Sequence, residues 1–343
     1  MDGGLEVFMA WRSLARAGRL TAVLAMLSVS ALLGCRGASA PAAGPSLRTA
    51  DGHPDLRGVW NFSAVTPMER PDALKDKAEF TDEEAAGFQR PTVVGVGKEG
   101  AVSLDADRRS TDPNTDLGPG YNQFWYENVS KSLTTKRTSL IVDPPDGRIP
   151  PLTEEAQRRA AEAVRALNRL PGGPEEMPLQ ARCILGLNSG PPMYPSYYNN
   201  NVLLAQTRDQ VVIVNEMNHN SRIVPLNGRP HDHIRQWVGD SRGRWEGDTL
   251  VIDTINFKGP TNFPGSTANL HLVETFRRVG PDTLLYTFTA EDPTTWTRPW
   301  TAEIPMTRSA EPIYEYACHE GNYAMSGILG GARTEEREGK KSN

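Results

Sequence analysis

The chain is poor in several things, and each scarcity narrows what it can be. It has three cysteines and six histidines in 343 residues. No C-x-x-C pair occurs, which removes the usual structural zinc spacing. Positive charge is not in excess: 37 Lys and Arg stand against 42 Asp and Glu, a formal net charge of −5. A nucleic-acid partner would want a basic face, so none is expected. The motif G-x-x-x-x-G-K-[ST] is missing, and with it the phosphate-cradling loop of the common nucleotide-binding folds. No apolar run reaches the length of a membrane span. The run at residues 20–33 is 14 residues, about 21 Å as a helix against the roughly 30 Å of a bilayer core.

That short run has a different meaning. Arg12, Arg16 and Arg19 precede it, and Gly34-Cys35 follow. A basic flank, a short apolar core and a small residue make up a secretory signal. Leu32-Leu33-Gly34-Cys35 resembles the bacterial lipobox, which implies cleavage before Cys35 and attachment of a diacylglycerol to its thiol. Residues 1–34 are therefore expected to be removed. Residues 35–50, small and Pro-rich, read as a flexible tether. The membrane is the expected partner through Cys35. The expected location is the cell envelope, and the outer membrane facing the periplasm is favoured because Arg36 rather than Asp follows the cysteine. Only Cys183 and Cys318 then remain, and an oxidising compartment predicts a bond between them. The loop it closes is long, so the chain-entropy model gives about 4–5 kcal/mol.

The remainder reads as one mainly β domain over residues 51–330, with an irregular and partly helical part to residue 200, a β meander over 201–320 and a charged tail from 331. Residues 56–62 alternate and predict a first strand. Thr81 and Glu84 form a capping box for a short helix. Residues 139–142 predict another strand, and Thr153 caps a helix running to about residue 170. Nine short segments follow, at 202–206, 211–216, 221–225, 234–238, 242–245, 249–257, 271–278, 283–290 and 300–306. Asn227-Gly228, Glu246-Gly247-Asp248 and Gly280-Pro281-Asp282 mark turns between them. Leu284, Tyr286 and Phe288 share one face of the clearest strand, and Thr283, Thr287 and Thr289 share the other. Such spacing predicts an antiparallel barrel or a strongly curved sheet. Residues 314–319 are read as a closing strand.

Two resemblances bear on this reading. Asp51-Gly52-His53-Pro54-Asp55-Leu56, Arg137 to Asp143 (RTSLIVD), Gly243 to Leu250 (GRWEGDTL) and Tyr316 to Tyr323 (YACHEGNY) resemble a family of exported proteins of soil bacteria to which no activity is assigned. The likeness covers most of the chain after the tether. Gly58-Val59-Trp60 at the head of a meander is similar to the G-x-W start of lipocalin-like barrels, which implies a closed barrel.

Candidate chemistry clusters around the few histidines. His231 and His233 stand at i and i+2, on one face of an extended segment, a spacing that could hold a divalent metal. His219 or Glu216 could add a third ligand, or could act together as an acid–base pair. Arg235, with Asp240 and Arg242, could bind an anionic group. Strand parity singles out two carboxylates. Glu274 shares a face with Leu272 and Phe276, and Asp253 shares one with Val251 and Ile255. A carboxylate among apolar neighbours must be paired, protonated or cavity-lining. Two loops rich in aromatics and amides could line a pocket, one holding Trp125 and the other Tyr197, Tyr198 and Asn200. Three functions stay open: a lipoprotein binding a small, partly apolar ligand in its barrel; an envelope lyase, isomerase or hydrolase using His219 with Glu216 or an inward carboxylate; and a structural or interaction lipoprotein. The histidine-bearing hairpin and the 197–200 loop are expected to meet at one mouth of the sheet.

Overall fold

A computed structural model describes residues 47–87, 135–167, 169–186, 188–196, 198–259, 261, 263 and 265–339. The architecture is the expected mainly β one. Ten strands form one antiparallel sheet that nearly closes as a barrel. They are β1 Gly58–Asn61, β2 Ile141–Asp143, β3 Asn201–Gln206, β4 Gln210–Asn215, β5 Ser221–Pro225, β6 Asp240–Glu246, β7 Thr249–Ile255, β8 His271–Arg278, β9 Thr283–Glu291 and β10 Trp300–Arg308. Their order is β5-β4-β3-β1-β10-β9-β8-β7-β6, with β2 paired to β10 beside that path. Among the described residues, no helix is long and apolar enough to cross a membrane.

The period-2 pattern decides which face turns inward. Leu250, Ile252 and Thr254 of β7, Leu272, Glu274 and Phe276 of β8, and Leu284, Tyr286 and Phe288 of β9 are all fully buried. Trp300, Ala302, Ile304 and Met306 continue the set on β10, and Trp60 supplies it on β1. These side chains form one contiguous core. Trp60 donates from Nε1 to the Leu56 carbonyl at 2.8 Å. The Arg308 guanidinium lies 4.5 Å from its ring centroid.

The two edge strands, β5 and β6, meet without belonging to a common ladder. Arg222 of β5 reaches Ser241 of β6 at 3.2 Å. A Cβ on Gly243 would come within 2.8 Å of Val224 and 2.6 Å of Leu226. Any larger residue at 243 would have to displace the side chains of Val224 and Leu226 on the facing edge. Successive residues on the two strands match in the same direction, so this contact is parallel. Across the interior, Arg222 makes a two-pronged pair with Glu274, both bonds 2.6 Å. Tyr286 donates its hydroxyl to Glu274 at 2.8 Å. That hydroxyl also accepts the Met193 amide at 3.1 Å. Burial pushes the Tyr286 phenol well above its ordinary value, with the Glu274 charge adding to the shift.

The two ends of the barrel differ. At one end the connections are short: residues 207–209, 247–248 and 279–282. The chain enters here, where Arg48 grips Asp248 at 2.9 and 2.7 Å and His53 stacks on Trp245 at 4.6 Å. At the other end the connections are longer, 256–270 and 292–299 among them, and residues 185–200 lead into β3. Phe263 closes that mouth, stacked 5.4 Å from Trp300 and packed against Trp296 and Phe288.

Helices α1 Asp82–Gly87 and α2 Glu154–Leu167 carry the expected caps. Thr81 and Glu84 exchange both bonds of the capping box, at 2.8 and 3.2 Å. Thr153 Oγ1 accepts the Ala156 amide at 3.1 Å. Three expectations need correction. Residues 234–238 are not a strand and make only a bridge from Gln236 to Phe257. Residues 314–319 add no closing strand and run irregularly. The tail from 331 is not wholly free, because α3 spans Tyr323–Arg337 and buries Ala332. Arg333 of α3 donates to the carbonyls of Gly172 and Pro171, both at 2.7 Å.

Removing one member of the interior ion pair leaves the other charged and buried. Glu274→Ala should cost about 3–5 kcal/mol of unfolding free energy. The double change Arg222→Met with Glu274→Leu should recover most of it. Urea unfolding measures both. A Glu274→Ala protein within about 1 kcal/mol of wild type would show that the pair is not the closing contact.

Candidate functional site

Glu274 is inward, as parity predicts, but it is not a free general base. Its two oxygens are taken by Arg222 and Tyr286. The partner is Arg222 from the opposite edge strand, which sequence spacing could not reveal. Asp253 lies on the outer face of β7 and not in the interior. There it joins a chain of side chains across neighbouring strands. His231 Nε2 bonds one Asp253 oxygen at 2.8 Å, and His271 Nε2 bonds the other at 2.8 Å. His231 Nδ1 reaches Asp240 at 3.2 Å, and Arg242 also pairs with Asp240. Both nitrogens of His231 are thus engaged by carboxylates. His233 points elsewhere, its side chain 97% exposed beside Asp232. The expected His231–His233 metal pair is therefore not assembled. Among the described residues, no group of three His, Cys, Asp or Glu is arranged to hold a metal ion.

The expected His219–Glu216 pair is also rearranged. Glu216 is buried and its carboxylate accepts the side-chain amides of Asn199 at 2.8 Å and Asn201 at 2.7 Å. His219 turns the other way, and its Nδ1 accepts the Tyr316 amide at 3.2 Å. An Nδ1 that accepts places the proton of the neutral ring on Nε2, so this imidazole offers a donor. Arg235 is structural, tying the carbonyls of Phe257 and Ala268 at 3.0 and 2.9 Å. Asn200 is fully buried and pins its own loop, accepting from Ser196 N at 2.7 Å and donating to Ser196 O at 2.8 Å. The Tyr198 carbonyl accepts the Asn188 side chain at 2.9 Å. Cys35, Trp125 and Tyr197 lie outside the described residues. The three histidines expected around one concavity are divided: His219 faces Tyr316, His231 joins the outer-face chain, and His233 projects into solvent beside Asp232.

What surrounds His219 is a groove built on the disulfide. Cys183 and Cys318 are bonded, with Cα atoms 5.7 Å apart. The bond joins the loop before β3 to the irregular segment after β10. It floors a concavity of about 410 Å³ lined by Asn218, His219, Glu315, Tyr316, His319 and Glu320. A second, smaller one of about 280 Å³ borders the same bond, lined by Gln180, Ala181, Gly321 and Asn322 among others. Three of the lining residues are non-glycines in the left-handed region: Cys183 (φ 54°), Asn218 (φ 58°) and His219 (φ 48°). Such conformations are costly away from glycine and persist where the surroundings enforce them. Among the described residues, the Asn218 side chain finds no hydrogen-bond partner for either polar atom, although both are buried. Sequence reasoning found His219 and the two cysteines but missed Glu315, Tyr316 and His319, which it placed in a strand. Their clustering of titratable and aromatic types beside a cysteine was the available signal.

Against known proteins, no family model matches the chain and no curated protein matches it significantly. The geometry alone therefore carries the functional reading.

The outer-face chain gives a pH dependence. Burial by itself would raise the Asp253 carboxyl, but hydrogen bonds from His271 and His231 outweigh it and hold the group below its ordinary value. A depressed folded value means stabilisation that is complete above the unfolded value, about 3.9. It is lost as pH falls through the lower folded value. Wild type should therefore exceed Asp253→Asn in stability at pH 5, and the gap should close towards pH 2. Denaturant unfolding across that range checks it, and a gap constant with pH contradicts it.

Proposed function

We propose that the chain is a lipid-anchored envelope protein whose filled barrel is a platform, and that it binds a small polar molecule in the groove beside Cys183 and Cys318. The observation that carries this reading is the contrast between the two places a ligand could enter. The barrel interior is occupied by Trp60, Tyr286, Phe288 and Trp300, all fully buried, and its mouth is stopped by Phe263. The groove is open and polar. His219 offers a donor, Glu315 and Glu320 offer acceptors, and Tyr316 offers a ring. A small molecule carrying N–H or O–H groups fits that chemistry better than the partly apolar ligand of a hollow barrel. The chain also joins the barrel at the short-turn end through Arg48 and His53.

Two experiments test the parts separately. Cys35→Ala should move the protein from the membrane to the soluble fraction, or leave it unprocessed. A wild-type protein that partitions wholly into the aqueous phase of a detergent extraction contradicts the anchor. For the groove, amide NMR of the mature protein is titrated with amino acids, simple amines and monosaccharides. A binder should shift resonances of residues 215–220 and 315–322, and His219→Ala or Tyr316→Ala should weaken it about tenfold, the loss of one charge-assisted hydrogen bond or stacking contact. Shifts confined to the barrel strands would sink the groove reading.

A further inference from the structure

The disulfide is more than the floor of the groove. Both of its cysteines line both concavities and are only half-buried, so the bond borders open space. Its two sulfurs also have unequal surroundings. Cys183 Sγ accepts a hydrogen bond from Asn322 Nδ2 at 3.4 Å. Asn322 is the N-cap of the 15-residue α3, and its Oδ1 accepts the Met325 amide at 3.4 Å. A thiolate formed at Cys183 would thus meet an amide donor and the positive end of a helix, both of which favour the anion. Among the described residues, no such donor reaches Cys318 Sγ. It sits on the irregular wall with Glu315 and Glu320.

We propose that Cys183–Cys318 is an exchange-competent disulfide, attacked at Cys318 Sγ by uncharged or cationic dithiols, and that its opening frees one wall of the groove. In the first step a reductant thiolate bonds to Cys318 Sγ. The S–S bond breaks, its electron pair leaves on Cys183 Sγ, and that thiolate takes a proton from solvent. The reductant's second thiol then displaces Cys318. The protein gains two electrons and two protons, and the dithiol ends as its own disulfide. The leaving group is chosen by Asn322 and α3. The class of attacker is chosen by Glu315 and Glu320, which repel an anionic thiol.

Once the bond is open, the wall from about residue 313 to 322 keeps few ties. Among the described residues, its hydrogen bonds to other segments include the Tyr316 amide on His219 and the Asn322 side chain on the Ala181 carbonyl. Helix α3 stays fastened through Arg333. The exchange chemistry stands without any ligand, and only its consequence for binding rests on the groove reading.

The test uses the mature full-length protein under native conditions, with cysteamine and glutathione as cationic and anionic monothiol probes and dithiothreitol as the dithiol. Acid quenching, alkylation and peptide mass mapping locate the first adduct. It should sit on Cys318, and cysteamine should react about tenfold faster than glutathione once each is corrected for its thiolate fraction. Glu315→Gln with Glu320→Gln should narrow that ratio. Asn322→Asp keeps a helix cap but sets a negative charge against the leaving sulfur, and should slow exchange about tenfold. Asn322→Ser, which keeps both cap and donor, should stay near the wild-type rate. After reduction by dithiothreitol, amide exchange should rise in residues 313–322 while β8 to β10 stay protected. A first adduct on Cys183, or reduction no faster than global unfolding followed by tryptophan fluorescence, overturns the proposal. Unchanged protection of 313–322 overturns the opening of the wall. None of these readouts depends on whether a small molecule binds.

Discussion

The structure depends on one buried ion pair, Arg222 with Glu274. A sheet that almost closes leaves two edges, and these edges run parallel with no shared ladder. Backbone hydrogen bonds therefore do not seal the barrel; side chains do. Arg222 crosses from the edge strand β5 to β8, touches Ser241 of the other edge on the way, and meets a carboxylate that Tyr286 also holds. Desolvating two charges is costly, and the pair repays that cost only because every oxygen of Glu274 has a donor. Because all of its members are satisfied, the network specifies one register of closure rather than several.

This arrangement also decides where function can reside. A barrel whose centre holds a salt bridge, a tyrosine and two tryptophans has large buried side chains where a hollow barrel would hold a guest. The asymmetry of its ends then matters. One end has tight turns and is strapped by the entering chain. The other carries long loops, a run of asparagines and the disulfide. Asparagines there hold backbone and carboxylate in place: Asn188 and Asn200 fix the loop before β3, and Asn199 and Asn201 clamp Glu216. What remains outward, in the groove, is the part with uncommitted polar groups.

Much of the fold was legible in the chain. Alternation placed β8 and β9 almost to the residue, because each has one face of large apolar side chains and one of threonine or charge. The same parity marked Glu274 as an inward carboxylate. It could not name Arg222 as its partner, since the two are brought together by barrel closure and not by neighbouring strands. Asp253 shows the limit of the pattern from the other side. Its neighbours Val251 and Ile255 look like core residues, yet they share its outward face, Val251 buried there and Ile255 partly so. The histidine cluster misled for a related reason: residues two apart share a face only in an extended strand, and residues 231–233 are not in one. Helix α3 was hidden by Gly327, Gly330 and Gly331, which depress intrinsic helix propensity. It is held instead by its Asn322 cap and by Arg333 on the loop after α2.

Two long-range cross-links of this molecule differ in permanence. The Arg222–Glu274 pair is sealed from solvent, and nothing short of unfolding reaches it. The Cys183–Cys318 bond borders two open concavities, with a helix terminus at one sulfur and carboxylates beside the other. A cross-link meant only to stabilise the barrel would serve better inside it, joining strands. This one joins a strand-flanking loop to an irregular segment outside the sheet, so its loss leaves the barrel whole and alters only the groove. The fold thus separates a fixed platform from one wall that solution chemistry can release.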